Sequence, residues 1–514
     1  MRVRTQGMAG KASLSIMMLL WAAVTVTVCG NDGILHMDYP RWDSSWFYMG
    51  GKAWMEGLVP YVDFADSKGP LLWLIYGLGY LISPSSFIGL YILEILSYWA
   101  TFCLMYRLAL IITGRRESAA LVVALMPIAY FFPVVHNEMR AEDFCNLLYA
   151  LTLYGTLKIA MEKGSFMKYG IYGGISVGCG LLIKYNVGFL LAIPPLGLLL
   201  WKTLRPQDFK GSLWSLISSY SAGFLIAVVP ILLCFLQYGN LGAFWDEYFV
   251  NTFSTLRNLG GESEPVAGLS SVSLHLGLLN LRGLYIAVSC LAACCIFFIP
   301  ILPIGMRRLA AAWFIMAAAV TVIMPWDYYL FNLAVFWVFL FSALSCRAGK
   351  IGLSVSAIAG ACAVGIVGIS STSVFANGEF YRVDVARIQH EAERDFSALA
   401  RSRCEEYGRP VTIAYANMPD IGLHIGEGLL PGVKYWALQS GASDAMTDQH
   451  VRSILEEMPD FVVVRHADTS MSRQLETRGY VLALSCEATG PDKNSLEEIN
   501  IYESPQPLKR GMAR

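Results

Sequence analysis

Residues 37–70 read MDYPRWDSSWFYMGGKAWMEGLVPYVDFADSKGP. Five carboxylates lie in this stretch: Asp38, Asp43, Glu56, Asp63 and Asp66. They alternate with the rings of Tyr39, Trp42, Trp46, Phe47, Tyr48, Trp54, Tyr61 and Phe64. A carboxylate can take the proton of an attacking hydroxyl, hold a divalent metal or accept hydrogen bonds from a sugar. An aromatic ring can stack on the apolar face of a sugar or sit at the headgroup level of a membrane. Lys68, followed by Gly69 and Pro70, can bind a phosphate as a point charge. Together these groups suit a substrate made of a lipid tail, a phosphate and a saccharide.

Each residue also has a plainer reading. Asp43 opens DSSW and could be a helix N-cap. Lys68 could snorkel at a membrane interface. Most of Trp42, Trp46, Trp54 and Tyr61 read as interfacial anchors, with one or two left to stack on sugar. Asp38, Asp63, Glu138 and Asp143 read as solvated loop residues. His36 and His136 have no metal-type partners in the sequence and receive no role.

The chain that must position these groups has 514 residues, of which 55% are hydrophobic and 15% charged. A soluble domain carries about 25% charged residues. Mean hydropathy is +0.50, and apolar runs recur over the first 370 residues. The fold class expected is a polytopic α-helical membrane protein with about 11 transmembrane helices. Helices are expected near 13–30, 87–112, 118–135, 144–160, 169–182, 187–201, 213–237, 277–300, 309–324, 330–345 and 351–370. An uncleaved first helix is expected rather than a leader ending at Cys29, because Val28 occupies a position where a small residue is needed.

This threading gathers Arg2, Arg4, Lys11, Arg115, Arg116, Lys163, Lys168, Lys202, Arg205, Lys210, Arg307, Arg308, Arg347 and Lys350 on one side. The positive-inside rule makes that side cytoplasmic. The opposite side receives the opening loop, HNEMRAED (136–143), the 244–265 loop and MPWDYY (324–329). LLWLIYGLGYLI (71–82) cannot then be a span without inverting every later basic cluster. It is expected to be a juxtamembrane helix within the first outer loop. The segments at 169–182 and 187–201 are expected to be half-length or tilted, flanking KYN (184–186). Gly170, Gly174 and Gly178 recur every four residues, which suits close helix packing.

The tail changes character. Residues 384–404 have helical periodicity, and 411–416, 461–465, 480–486 and 498–503 read as strands, with helices at 448–458 and 473–478. The division expected is a membrane domain over 1–372 and a small soluble α/β domain over 373–514. The tail carries no phosphate-binding glycine fingerprint and no hydrolase motif. The twelve cysteines lack metal-type spacing. Cys404 and Cys486 are a candidate pair if the tail is extracytoplasmic.

The order RWDSSW, then DFADSKGP and an apolar helix, resembles the first extracytoplasmic loop of GT-C glycosyltransferases. That superfamily includes the protein O-mannosyltransferases and the lipid A aminoarabinose transferases. MRAEDFCNLLYALTLY (139–154) is similar to the acidic helix start after their second outer loop. GISVGCGLLIKYN (174–186) is similar to their glycine-rich helix ending in lysine. The resemblance covers residues 13–200 and is general beyond them. The chain departs from the pattern at 326–329, where Trp326, Asp327, Tyr328 and Tyr329 replace a histidine–tyrosine pair. It also has no strict Asp-x-Asp.

The resemblance implies an inverting glycosyltransferase that moves a sugar from a polyprenyl-phosphate donor to a glycan, lipid or protein acceptor. Asp43 would be the general base. Lys68, Asp66, Arg140, Glu142, Lys184 and Arg257 would contact the donor and its phosphate, and Trp42, Trp46 and Tyr61 are the candidates for stacking on sugar. No cofactor is assigned, and a divalent metal stays open. The partners expected are the lipid donor, the acceptor and membrane lipids, with no nucleic acid. The location expected is a bacterial plasma membrane, with the N-terminus cytoplasmic and the tail outside. The alternative is a transporter or flippase of lipid-linked glycans. Such proteins place ionisable residues deep in helices, where this chain offers little beyond Glu94 and Arg107.

Overall fold

The computed structural model describes residues 8–30, 42–132, 139–161, 166–208, 212–251, 281–323, 327–347, 352–371, 383–423, 428–438, 444–489 and 496–505. Each apolar run is helical within those bounds. The helices are α1 (Met8–Cys29), α2 (Trp42–Met55), α3 (Pro70–Ile82), α4 (Ile88–Thr113), α5 (Arg116–Tyr130), α6 (Ala141–Ala160), α7 (Phe166–Ile183), α8 (Tyr185–Leu204), α9 (Leu213–Tyr238) and α10 (Leu241–Trp245). After them come α11 (Leu281–Cys295), α12 (Ile304–Ile323), α13 (Phe331–Ala334), α14 (Trp337–Arg347) and α15 (Leu353–Ser371). Seven helices among the described residues are long and apolar enough to cross a membrane, or eight if the bent α13–α14 pair counts as one span. An apolar helix of about 20 residues matches the hydrocarbon thickness of a bilayer.

Two expectations on length change. α7 has 18 residues and α8 has 20, so neither is half-length. Polar residues in their end turns, such as Lys168 and Asn186, had hidden those turns from the apolar count. α5 stops at Tyr130, shortly after the internal Pro127, and has only 15 residues. α3 has 13 residues and falls among the shorter apolar helices, as the threading requires of a juxtamembrane element.

The chain divides into two compact units that do not follow a single cut. The first takes Met1–Leu35, Ile92–Leu233 and Ser263–Gly378. The second takes His36–Tyr91, Cys234–Glu262 and Glu379–Arg514, which groups the opening loop with the tail.

In the first unit the four-residue glycine spacing on α7 makes close helix contact. A Cβ at Gly170 would collide with Ser219 and one at Gly174 with the Tyr220 carbonyl, while one at Gly178 would sit 2.8 Å from the Ala227 methyl group. Small residues at this spacing let backbones approach without lipid between them.

In the second unit α2 and α3 form a helical hairpin. A Cβ at Gly51 would strike the backbone nitrogen of Gly77, so the two helices touch where both lack side chains. The tail contributes α16 (Val383–Tyr407), β1 (Val411–Ala416), β2 (Leu429–Pro431), α17 (Asp444–Glu457), β3 (Phe461–Arg465), α18 (Thr469–Thr477), β4 (Val481–Thr489) and β5 (Leu496–Glu503). The sheet order is β2-β1-β3-β5-β4. β1 is parallel to β2 and β3, and β5 is antiparallel to β3 and β4. The core holds Ala414, Val462, Val464, Ile454 and Leu475. Arg409 and Asp460 close one end through two parallel hydrogen bonds of 2.8 Å. β2 was not foreseen, since three residues, LLP, show no alternation. Cys404 and Cys486 are free thiols rather than a pair. Burial raises the Cys486 thiol to about 11.

Candidate functional site

Asp43 lies in the first turn of α2 and is half-buried. A carboxylate in a first turn is favoured by the positive end of the helix dipole. The α2–α3 hairpin then fixes the turn between the helices. Tyr61 adopts φ 65°, a left-handed conformation that strains a bulky residue by about 1–3 kcal/mol. Several contacts hold it there. Its N–H donates to the Phe64 carbonyl at 2.6 Å, and its hydroxyl donates to the Lys68 carbonyl at 3.0 Å. Its ring lies among Trp73, Phe235, Phe244 and Tyr248. Burial, and after it the neighbouring Tyr248 and carboxylates, push the Tyr61 phenol upward, so it remains a donor. Asp63 accepts from the Val59 N–H at 2.7 Å and serves the turn.

Asp66 is buried, and its Oδ1 accepts from the Ser67 N–H. Lys68 is half-buried. Its ammonium lies 5.4 Å from the centre of the Phe47 ring and 3.5 Å from the Ser67 hydroxyl. Phe47 is one helical turn along α2 from Asp43. The hairpin thus brings Lys68 beside the helix that carries Asp43.

Trp46 and Tyr61 are placed differently from sugar-stacking residues at an open surface. Trp46 is 7% exposed, and its indole packs on Trp436 at a centroid distance of 4.5 Å. Tyr61 is fully buried. The side chain of Trp42 lies outside the described residues, as do Arg257, Asp38, Glu138, His36 and His136.

The first unit holds a second cluster. Lys184 is the single non-helical residue between α7 and α8, and its ammonium pairs with the Glu142 carboxylate. Both side chains are 7% exposed. Lys184 lies 4.7 Å from the Tyr328 ring centre and 4.4 Å from that of Tyr329. The Arg140 guanidinium lies 4.6 Å from the Tyr328 ring centre. Cations are attracted to ring faces at such distances. Two cations from separate segments, Arg140 at the start of α6 and Lys184 between α7 and α8, therefore share the Tyr328 ring. The α6 start is fixed by Asp143, which accepts from the Arg140 backbone N–H at 2.9 Å and from the Tyr98 hydroxyl at 2.8 Å. Asn146 donates to that hydroxyl at 3.2 Å.

Arg140, Glu142 and Lys184 are among the residues expected to contact the donor, and the structure brings them together. The use of Tyr328 and Tyr329 was not foreseen, although both stand where the GT-C pattern has its histidine–tyrosine pair. Tyr98 left no local signal, because it resembles any aromatic residue in an apolar helix. Among the described residues, no group of three or more His, Cys, Asp or Glu side chains is placed to hold a metal ion.

Residues 67–233 match the family model of dolichyl-phosphate-mannose-protein mannosyltransferases. The matched stretch contains Lys68, Arg140, Glu142 and Lys184. Over these residues it bears out the GT-C resemblance, and the apolar helices fit an integral membrane protein. No curated protein sequence matches the chain. Among solved structures, ArnT from Cupriavidus metallidurans bound to undecaprenyl phosphate is 13% identical with a TM-score of 0.43; the match covers 96% of this chain and 98% of that one. The Archaeoglobus fulgidus oligosaccharyltransferase is 14% identical with a TM-score of 0.44, covering 87% of this chain and 68% of that one.

Proposed function

We propose that this chain transfers a sugar from a polyprenyl-phosphate donor to an acceptor on the extracytoplasmic face of a membrane, with inversion at the anomeric carbon. The acceptor oxygen forms a bond to the anomeric carbon. The bond from that carbon to the phosphate oxygen breaks, and the lipid phosphate leaves with the electron pair. Asp43 takes the acceptor's proton. Lys68 holds the donor phosphate, with Asp66 shaping its turn. The GT-C resemblance carries Arg140, Glu142 and Lys184 of the first unit into the reading as donor contacts, and Glu142 pairs with Lys184. The tail is extracytoplasmic on this reading.

The observation that carries the reading is the seating of Lys68 beside α2, the helix whose first turn holds Asp43, at the start of the stretch that matches mannosyltransferases. The gathering of Arg140, Lys184 and Tyr328 adds support, because charge threading assigns their three segments to one side of the membrane.

The test uses membranes containing the full chain and a panel of polyprenyl-phosphate sugars. Consumption of one donor by the wild type, and its loss by about 10²-fold or more in Asp43→Asn with donor binding retained, is the expected result. Wild-type turnover in Asp43→Asn would remove Asp43 as the base.

A further inference from the structure

The tail segment Gly432–Leu438 leaves β2 at the carboxyl end of the parallel strands. Backbone bonds tie it to β1 and to the turn after it: Tyr415 N–H donates to the Trp436 carbonyl at 2.6 Å, and Leu438 N–H donates to the Met418 carbonyl at 2.9 Å. The Trp436 indole N–H donates to Asp420 at 3.2 Å. The segment is therefore a fixed projection of the sheet.

It meets the opening loop at two points beside the proposed chemistry. Trp436 packs on Trp46, which is one turn along α2 from Asp43. The Lys434 carbonyl accepts the Ala65 N–H at 3.0 Å, immediately before Asp66 and three residues before Lys68. A third element locks the arrangement. Glu247, in the π-helical segment Asp246–Asn251, pairs with the Lys434 ammonium and accepts the Tyr435 hydroxyl at 2.7 Å. Its side chain is 12% exposed. Just before that segment, the Asn240 amide donates to the Pro60 carbonyl at 2.7 Å. One carboxylate thus holds two successive tail side chains, while the tail backbone holds the loop. Hydrogen bonds to a charged group are stronger than neutral ones and more directional than packing.

We propose that Glu247 is a positioning residue: by clasping Lys434 and Tyr435 it sets the register of Ala65–Lys68 against α2, and so makes the tail part of the donor-phosphate site. The proposal rests on the phosphate reading of Lys68.

The test uses the full chain in nanodiscs, with undecaprenyl phosphate as the probe. Two quantities are read: its affinity and the exchange rate of the Ala65 amide. Glu247→Gln and Lys434→Met should each weaken binding about fivefold and speed Ala65 exchange. The double variant should be no worse than the worse single, as for groups acting as one unit. Tyr435→Phe removes one hydroxyl, keeps the ring and should act in the same direction, so the proposal stays testable if a charge variant misfolds. Unchanged Ala65 exchange and unchanged binding in Lys434→Met and Tyr435→Phe would overturn the proposal, even if melting temperature falls. Lys68→Met separates the two ideas. Wild-type binding in Lys68→Met removes the phosphate reading, while Ala65 exchange still decides whether Glu247 sets the loop.

Discussion

The Lys184 ammonium and the Glu142 carboxylate form a buried ion pair across 42 residues of chain, under the rings of Tyr328 and Tyr329. Breaking one side of such a pair leaves an uncompensated charge and costs about 3–5 kcal/mol, whereas replacing both sides costs less. Lys184→Met and Glu142→Gln should therefore each lower the unfolding temperature more than the double variant does. Thermal unfolding in detergent checks this, and additive losses would show that the two side chains are not coupled.

Tyr98→Phe should cost about 1–3 kcal/mol, because Asp143 loses a buried donor and the Asn146 amide loses its acceptor. The effect should be local to the start of α6. Hydrogen exchange of the amides at 141–146 is the measurement; a change spread evenly over the chain would contradict it.

Gly51→Ala should separate α2 from α3, because the new methyl group meets the Gly77 backbone. Overpacking of this kind costs about 1–3 kcal/mol. Gly242→Ala, where a Cβ meets nothing within 4 Å, is the control. Limited proteolysis in 56–69 should rise in the first variant and stay level in the second.

The tail should lose stability as pH falls. His450 is buried on α17, and its Nε2 lies 2.9 Å from the Tyr415 carbonyl. Burial holds the imidazole below its ordinary value of 6.5. The unfolded chain therefore takes up the proton first. The contribution of neutral His450 is complete above 6.5 and declines as pH falls below it toward the depressed folded value. Hydrogen exchange of β1 amides between pH 7.5 and 5.5 should show this decline. His450→Gln, which has no imidazole to titrate, should flatten it.

Much of the fold was legible because it is local. Each apolar run became a helix, since in a membrane the backbone must satisfy its own hydrogen bonds. The alternating strands of the tail and the α7 glycines were legible for a similar reason: period and side-chain size report which face is buried. Legibility failed where the period was interrupted. Polar end turns concealed the full lengths of α7 and α8, and β2 was too short to alternate.

The candidate site divides along the same line. Residue type and order, with the GT-C resemblance they carry, singled out Asp43, Lys68, Arg140, Glu142 and Lys184; ionisable groups are costly in an apolar chain and so stand out. Only the tertiary structure decided what each one touches. It seated Lys68 against Phe47, paired Glu142 with Lys184, brought two cations to the Tyr328 ring and packed Trp46 on Trp436. Contacts between residues tens to hundreds of positions apart depend on how helices and loops pack in three dimensions. No spacing along the chain encodes that packing.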